Sequence, residues 1–352
     1  MKKLLSVICT VTLLMGLFAG CAPKQEEASK APAETKAPAE TKAPAETKAP
    51  EGPSEAAKKW PEKTVNIIMT HGAGGDTDYN GRLISKNLET KLGKPFIVTN
   101  VTGGNGSIAM TQGKDAKPDG YTFIVTNTAA LSANEASGLV DFGYNAFDPV
   151  AIYGRQSGEV IIVKGDSKYK SLEELIADAE ANPGKIKFGI SMGGAVYAAS
   201  VMLERSGAKF AIVDAGDGAD RMAALLGGHV DATIVPYLTA REYIENKDVK
   251  AMCTLMSKRS AGMPDVPTAQ EAGVKELVID TMYAVLAPKG TDPDIIEKAN
   301  AAILDIVLKD AEYGDTYKKF NFQEAWALNV KDTLAELDVQ RKHFMGYSEF
   351  LK

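Results

Sequence analysis

The sequence predicts an α/β fold divided into two lobes, and three observations carry that prediction. From Thr64 onward, short β-rich runs alternate with stretches of helical periodicity. The runs are continuously apolar, which marks strands covered on both faces, as in largely parallel sheets. About 290 residues lie from Trp60 onward, a length that suits two lobes of ordinary domain size with a cleft between them.

In chain order, Val65–Met69 reads as a strand, glycine-rich punctuation follows, and a helix runs from about Thr77 to Leu92. Phe96–Thr99 and Thr122–Val125 are the next strands. Further strands fit Val160–Val163, Ile186–Ile190, Phe210–Val213 and Ala232–Val235. Helices over Leu172–Ala181, Ala195–Ser206 and Ala219–Leu226 lie among them. The lobes are expected over 60–156 plus 284–352 and over 157–283, with hinge strands near Val150–Val163 and Thr281–Ala287.

The first twenty residues set the expected compartment. Lys2 and Lys3 precede an apolar run from Leu4 to Phe18, and Ala19-Gly20 supplies the small residues of a cleavage site. The run is too short to span a bilayer comfortably, which takes about 20 apolar residues. Residues 1–20 thus read as an export signal, and Cys21 would be left as a thiol for lipidation. The segment Leu17-Phe18-Ala19-Gly20-Cys21 resembles a bacterial lipoprotein box, with Phe18 where leucine is usual. A plain secretory signal is the alternative. Residues 21–59 carry a repeating Lys-Ala-Pro-Ala-Glu-Thr unit without large apolar residues, so they read as a disordered, extended tether. The expected location is extracytoplasmic, bound to the membrane only through the lipid.

Composition excludes several classes. The net charge is −6, and −8 once Lys2 and Lys3 leave with the signal, which argues against nucleic acid and anionic membrane surfaces as partners. Beyond Cys9 and Cys21, only Cys253 is left in the folded part, where no intramolecular disulfide can form; its apolar neighbours make it a small buried hydrophobe. The histidines His71, His229 and His343 are scattered, without ligand-like spacing, and neither metal nor cofactor is expected. No Gly-x-Ser-x-Gly elbow or nucleophile–base pair is present, so no catalytic residue is assigned and an exported hydrolase is the weaker alternative.

Three junctions between strands and helices could hold a ligand. The first is Thr70-His71-Gly72-Ala73-Gly74-Gly75-Asp76-Thr77, where glycines let backbone N–H groups approach an anion at a helix start. Asp76 or Thr77 acting as N-cap would be the purely structural account. The second is Ser191-Met192-Gly193-Gly194-Ala195-Val196-Tyr197, and the third is Asn127-Thr128 after the Thr122–Val125 strand. All three lie beyond the carboxyl ends of strands, where α/β sheets collect ligands. The first is neither a dinucleotide fingerprint nor a P-loop, since it lacks the third glycine and any Gly-Lys-Ser/Thr ending.

An ordered series of short motifs resembles one family. It runs through Trp60-Pro61, Gly74-Gly75-Asp76-Thr77-Asp78, Arg82, Leu92-Gly93-Lys94-Pro95, Asn100, Gly103-Gly104-Asn105-Gly106 and Pro118-Asp119-Gly120-Tyr121-Thr122. It continues through Asp148-Pro149-Val150-Ala151, Leu225-Leu226-Gly227-Gly228-His229-Val230-Asp231, Pro264-Asp265-Val266-Pro267-Thr268 and Ala287-Pro288-Lys289-Gly290-Thr291. From Trp60 to the C-terminus the chain resembles the Bug, or TctC-type, substrate-binding proteins of tripartite tricarboxylate transporters. That resemblance implies a Venus-flytrap fold, like that of periplasmic binding proteins, with a ligand carboxylate held between lobes by two β-to-α loops. The matching positions are Thr70–Thr77 and Ser191–Tyr197, with Asn127 and Thr128 nearby. It also implies integral-membrane transporter subunits as partners, and a monomeric binding protein is expected. A receptor reporting to a signalling partner is a second functional reading.

Three departures bear on the ligand. His71 with Gly72-Ala73 stands where relatives often have an aromatic and proline, and Asp76 occupies a site more often Ser or Gly. Asp214-Ala215-Gly216-Asp217-Gly218 replaces a frequent Tyr-Lys-Gly run. A charge pair at ~4 Å and an effective dielectric near 20 interacts by about 4 kcal/mol, so acids facing the cleft would disfavour a multiply charged anion. The expected ligand is a mono- or dicarboxylate, with a tricarboxylate or an amino acid as further candidates; an amino group could be accepted by Asp76 or Asp217.

Overall fold

The computed structural model describes residues 52–352. The signal, Cys21 and the repeat lie outside the described residues. Ten strands follow in order: β1 (Val65–Met69), β2 (Phe96–Asn100), β3 (Thr122–Asn127), β4 (Phe147–Arg155), β5 (Glu159–Lys164), β6 (Lys187–Ile190), β7 (Ala211–Asp214), β8 (Ala232–Pro236), β9 (Val249–Thr254) and β10 (Met282–Pro288). The helices α1 (Glu55–Lys59), α2 (Asp76–Leu92), α3 (Ser107–Lys114) and α4 (Thr128–Ala136) belong to the first half. Next come α5 (Leu172–Ala181), α6 (Ala195–Arg205), α7 (Gly218–Leu226) and α8 (Tyr237–Glu245). The C-terminal set is α9 (Pro293–Lys309), α10 (Ala311–Asn321), α11 (Val330–Met345) and α12 (Ser348–Leu351).

The strands form two five-stranded sheets of one design, ordered β2-β1-β3-β10-β4 and β7-β6-β8-β5-β9. In each, four strands run the same way and the strand next to the edge is reversed: β10 is antiparallel to β3 and β4, and β5 to β8 and β9. The reversed strand is in each case the one that has just arrived from the other sheet. The chain crosses from β4 to β5 through Gln156-Ser157-Gly158 and returns between β9 and β10. The two crossings touch, with Gln156 N–H donating to the Thr281 carbonyl at 2.9 Å.

Each sheet is covered on both faces, which is why its strands read as unbroken apolar runs. Val65, Ile67 and Met69 of β1 enter one core with Phe123 and Val125, while Ile68 and Ile124 enter the core on the opposite face. In the second sheet Ile161 and Val163 face one core, and Val160 and Ile162 the other. α9 covers the first sheet with Ile295, Ile296, Ala299, Ala302, Ile303, Ile306 and Val307, a stripe at helical spacing. It starts at Asp292, whose side chain caps Asp294 N–H, with proline in the first turn. α2 lies so close to the sheet that a Cβ at Gly81 would come within 2.1 Å of Met69 Cε.

The lobes are tied along one side. Ala129, Ala133 and Ala136 of α4, together with Phe344 of α11 and Leu351 of α12, enter a core of the second sheet. Arg341 holds Glu135 by two bonds of 2.7 and 2.5 Å, joining α11 to α4.

The folded part begins earlier than Trp60. Ser54 caps α1, its hydroxyl donates to Asp292 at 2.7 Å, and Ala57 is buried. Lys298 collects the carbonyls of Ala57, Lys58 and Trp60. The composition of 52–59 disguised this because the contacts are polar and made by residues some 240 positions away. At the other boundary Met282 and Tyr283 already pair in the first sheet, opposite Arg155 and Gly154. Cys253 is buried in β9.

Candidate functional site

The first junction leaves β1 at buried Thr70, whose N–H donates to Val125 at 3.1 Å. Gly74, at φ +81°, turns the chain so that its N–H donates to Asp78 Oδ2 at 2.9 Å. Asp78 also accepts from Arg82 Nε at 2.9 Å and Asn100 Nδ2 at 2.7 Å, and Asn100 Nδ2 reaches the His71 carbonyl at 2.8 Å. Burial alone would raise the Asp78 carboxyl, but these donors hold it below the usual carboxylate range. Asp78, Arg82 and Asn100 therefore brace the loop from behind. Gly72, Ala73, Gly74 and Gly75 are exposed, and Thr77 is buried.

Gly75, not Asp76 or Thr77, is the N-cap of α2 and offers no side-chain acceptor. Gly194 does the same for α6. The starts of α3 and α8 also lack a side-chain cap, whereas α4, α5, α7, α9, α10 and α11 are each capped by one. The first N–H groups of α2 and α6 have no intrahelical partner and no N-cap side chain, although the Asp76 carboxylate meets the Thr77 N–H, and they carry the positive ends of the helix dipoles.

His71 is locked rather than switchable. Its Nδ1 meets Thr70 Oγ1 at 2.7 Å and its Nε2 meets Asn127 Nδ2 at 3.0 Å. Since Asn127 Oδ1 accepts from Ala130 N–H at 2.7 Å, the amide nitrogen faces His71, so Nε2 accepts and the proton sits on Nδ1. Burial lowers the His71 pKa to about 4, leaving the ring neutral at physiological pH. Thr128 is buried, and its hydroxyl accepts from Met282 N–H at 3.1 Å, so only its backbone is placed to serve the third junction.

The second junction meets the first through the turn Gly104-Asn105-Gly106. A Cβ on Gly106 would lie 3.1 Å from Thr70 Cβ, and one on Gly194 2.5 Å from Asn105 Nδ2. Asn105 is held by reciprocal bonds to Asn134 at 3.1 and 3.0 Å. Ser137 Oγ donates to the Gly193 carbonyl at 2.7 Å, fixing the junction to α4. Gly193 and Gly194 are buried, Ser191 is half-buried and Met192 is exposed. Tyr197 is half-buried against the second sheet's core. Asp217 is exposed as the N-cap of α7, its Oδ1 accepting from Ala219 at 3.0 Å and Asp220 at 3.2 Å, and it lies near enough to act on Arg221.

Asp76 turns inward. Its Oδ2 accepts from Gln156 Nε2 and from the Tyr283 hydroxyl at 3.3 Å, and burial raises its pKa. Behind Tyr283 lies a closed network in which Asn321 and Asn80 exchange bonds of 2.8 and 3.2 Å. Glu159, which opens β5, lies near enough to feel both Asp76 and the buried Arg221; burial raises it to about 7. Gln156, Glu159, Tyr283 and Asn105 carried no signal in isolation, because each comes to the site only through the crossing segments or the turn that packs on Thr70.

A cleft with two uncapped helix starts, reached from two sheets of one topology, belongs to the two-lobed solute-binding receptors. Residues 81–342 match the model of the family described as tripartite tricarboxylate transporter family receptor. The protein BugT of Bordetella pertussis is 31% identical over 253 residues, covering 70% of this chain and 77% of that one. The structure of periplasmic binding protein BugD is 26% identical with a TM-score of 0.72, covering 83% of this chain and 98% of that one. MatC of Rhodopseudomonas palustris, solved with bound malate, shares the fold at 24% identity and a TM-score of 0.71, over 83% of this chain and all of that one. The chain belongs to the tripartite tricarboxylate transporter receptor family. The family is one of extracytoplasmic receptors for solutes. Among the described residues no helix is long and apolar enough to cross a membrane.

Proposed function

We propose that this protein captures a small organic acid outside the membrane and presents it to the integral-membrane subunits of a tripartite tricarboxylate transporter. Lipidated Cys21 and the repeat-bearing tether that ends before Ser54 would hold it at the membrane while leaving the binding domain free to reach its partner. The lobes would comprise 54–156 with 282–352 and 157–281, and would close over the ligand about the paired crossings.

One observation carries the reading: α2 and α6 both start at a glycine without a side-chain cap, and the Asn105 turn brings those starts toward each other. Uncapped N–H groups at two helix starts suit a carboxylate better than any neutral group. The malate held by a structural neighbour is consistent with that class. Substitution of Gly75 by Asp tests it. The backbone there has φ −73°, open to any residue, and a Cβ would meet only the Gly72 carbonyl at 3.4 Å. The new carboxylate would cap α2 in the ligand's place, so binding of mono- and dicarboxylates should vanish while the fold holds. Carboxylate affinity unchanged in G75D would refute the assignment.

A further inference from the structure

Four buried polar side-chain atoms without a hydrogen-bond partner among the described residues lie within one short stretch: Tyr153 Oη, Gln156 Oε1, Ser157 Oγ and Glu159 Oε2. Gln156 is only 4% exposed and Ser157 fully buried. Gln156 and Ser157 form the β4–β5 crossing between the two sheets, with Tyr153 and Glu159 in the strands on either side. The Gln156 amide is oriented by its nitrogen, which donates to Asp76, so its oxygen is the group left over. Gln156 Oε1 can only accept, and ionised Glu159 Oε2 can only accept. Buried groups of this kind call for donors, and a bare carboxylate ligand has none to give.

Charge points the same way. Asp76 and Glu159 are both deeply surrounded yet each keeps a partly accessible surface, as expected at the bottom of an open cleft. The buried cation beside them, Arg221, is turned to the carbonyls of Ile234 and Gly216, each at 2.8 Å. Arg221 offsets Glu159 but also faces Asp214, Asp217 and Asp220, and among the described residues no cation is set against Asp76, so the acids here are in excess. Besides Gln156 and Tyr283, the Asp76 carboxylate is met by Thr77, through its N–H and, at 3.4 Å from Oδ1, its hydroxyl, which are neutral donors that a charged one would outmatch.

We propose that Asp76, Gln156 and Glu159 form an ammonium-binding floor, so that the ligand is an amino acid or a related amino-carboxylate rather than a plain organic acid. The inference rests on the carboxylate-capture reading above and specifies its substrate class. An ammonium offers three N–H donors to Asp76 Oδ1, Gln156 Oε1 and Glu159 Oε2, and its single positive charge offsets the excess. The carboxylate of the same ligand meets the helix starts beside Asp76, the first residue of α2. In the empty protein the excess is relieved by a proton instead, in keeping with the raised Glu159. Asp76 lies on the first lobe and Glu159 on the second sheet, with Gln156 at the crossing between them, so one ammonium would draw all three together as the lobes close.

Titration calorimetry on the full-length protein with matched probes tests this. The twenty amino acids are measured beside their des-amino acids (succinate for aspartate, glutarate for glutamate, 4-methylpentanoate for leucine) and beside the decarboxylated amines. At least one amino acid should bind roughly 10-fold or more tightly than its des-amino partner, the scale of hydrogen bonds to a charged group. Glu159→Gln and Asp76→Asn should each shrink that ratio toward one, a change in preference that loss of fold would not mimic. Plain acids binding as well as or better than every amino acid would overturn the ammonium floor and leave carboxylate capture standing. An amine binding as tightly as its amino acid would refute the carboxylate reading while the floor survives. Silence from acids, amino acids and amines alike would remove both.

Discussion

Replacing Glu159 with Gln should make the empty protein more stable at alkaline pH, because the wild-type carboxylate is held there against its preference. Burial lifts Glu159 from an ordinary 4.5 to about 7. Each pKa unit is worth about 1.4 kcal/mol, so keeping this group ionised at pH 8 costs the fold about 3 kcal/mol at most. Arg221 loses part of its electrostatic support in the variant, although its two carbonyl bonds persist, so a net gain of about 1–2 kcal/mol is expected. The folded state binds more protons than the unfolded one between the two pKa values. Its extra stability is therefore fully present below 4.5 and is lost as pH rises through about 7. Asp76, also raised by burial, contributes in the same direction. Urea melts at pH 4.5, 6 and 8 should show E159Q gaining on wild type as pH rises, with the wild type's decline over that window flattened in the variant. A variant less stable than wild type at pH 8, or a difference independent of pH, would show that Glu159 is a paired structural carboxylate rather than an unmet charge.

The remaining expectations are simpler. G75D should abolish carboxylate binding yet gain a few tenths of a kcal/mol in thermal stability, because it adds an N-cap and a favourable charge at the start of α2. Asn127→Ala removes the cap on Ala130 and the partner of His71 together; it should cost about 1 kcal/mol in denaturant melts and also weaken ligand binding. The His71 ring protons should show no titration by NMR from pH 8 down to 5.5, since the ring takes a proton only near about 4. Cys253, buried and with its thiol pushed well up by desolvation, should resist a thiol reagent in the native protein and react once urea unfolds it. Rapid native labelling localised to Cys253 by peptide mass spectrometry would contradict its placement in β9.

Much of this was legible in the chain itself. Strands covered on both faces must be apolar at every position, so β1, β3, β5, β6 and β8 could be read within a residue or two, and the helices α2, α5, α6 and α7 followed from their periodicity. Glycine pairs directly before helices marked both candidate junctions, because a backbone that turns at positive φ, as at Gly74 and Gly193, leaves that signature locally. Other features had no local signature. β9 was not read as a strand, β4 and β10 were read only as hinge strands without their place in the first sheet, and the reversal of β5 and β10 depends on which sheet the chain has just left. Asp76 looked like a helix cap until Gln156 and Tyr283, distant in sequence, were seen to receive its carboxylate. Asp217, equivalent to it on paper, proved to be a surface cap. The sequence determined which segments are strands, helices and anion-ready turns, since those preferences act over a few residues. Only the tertiary structure decided which acids lie buried at the cleft floor, because desolvation and unmet hydrogen bonds depend on neighbours that folding brings from remote parts of the chain.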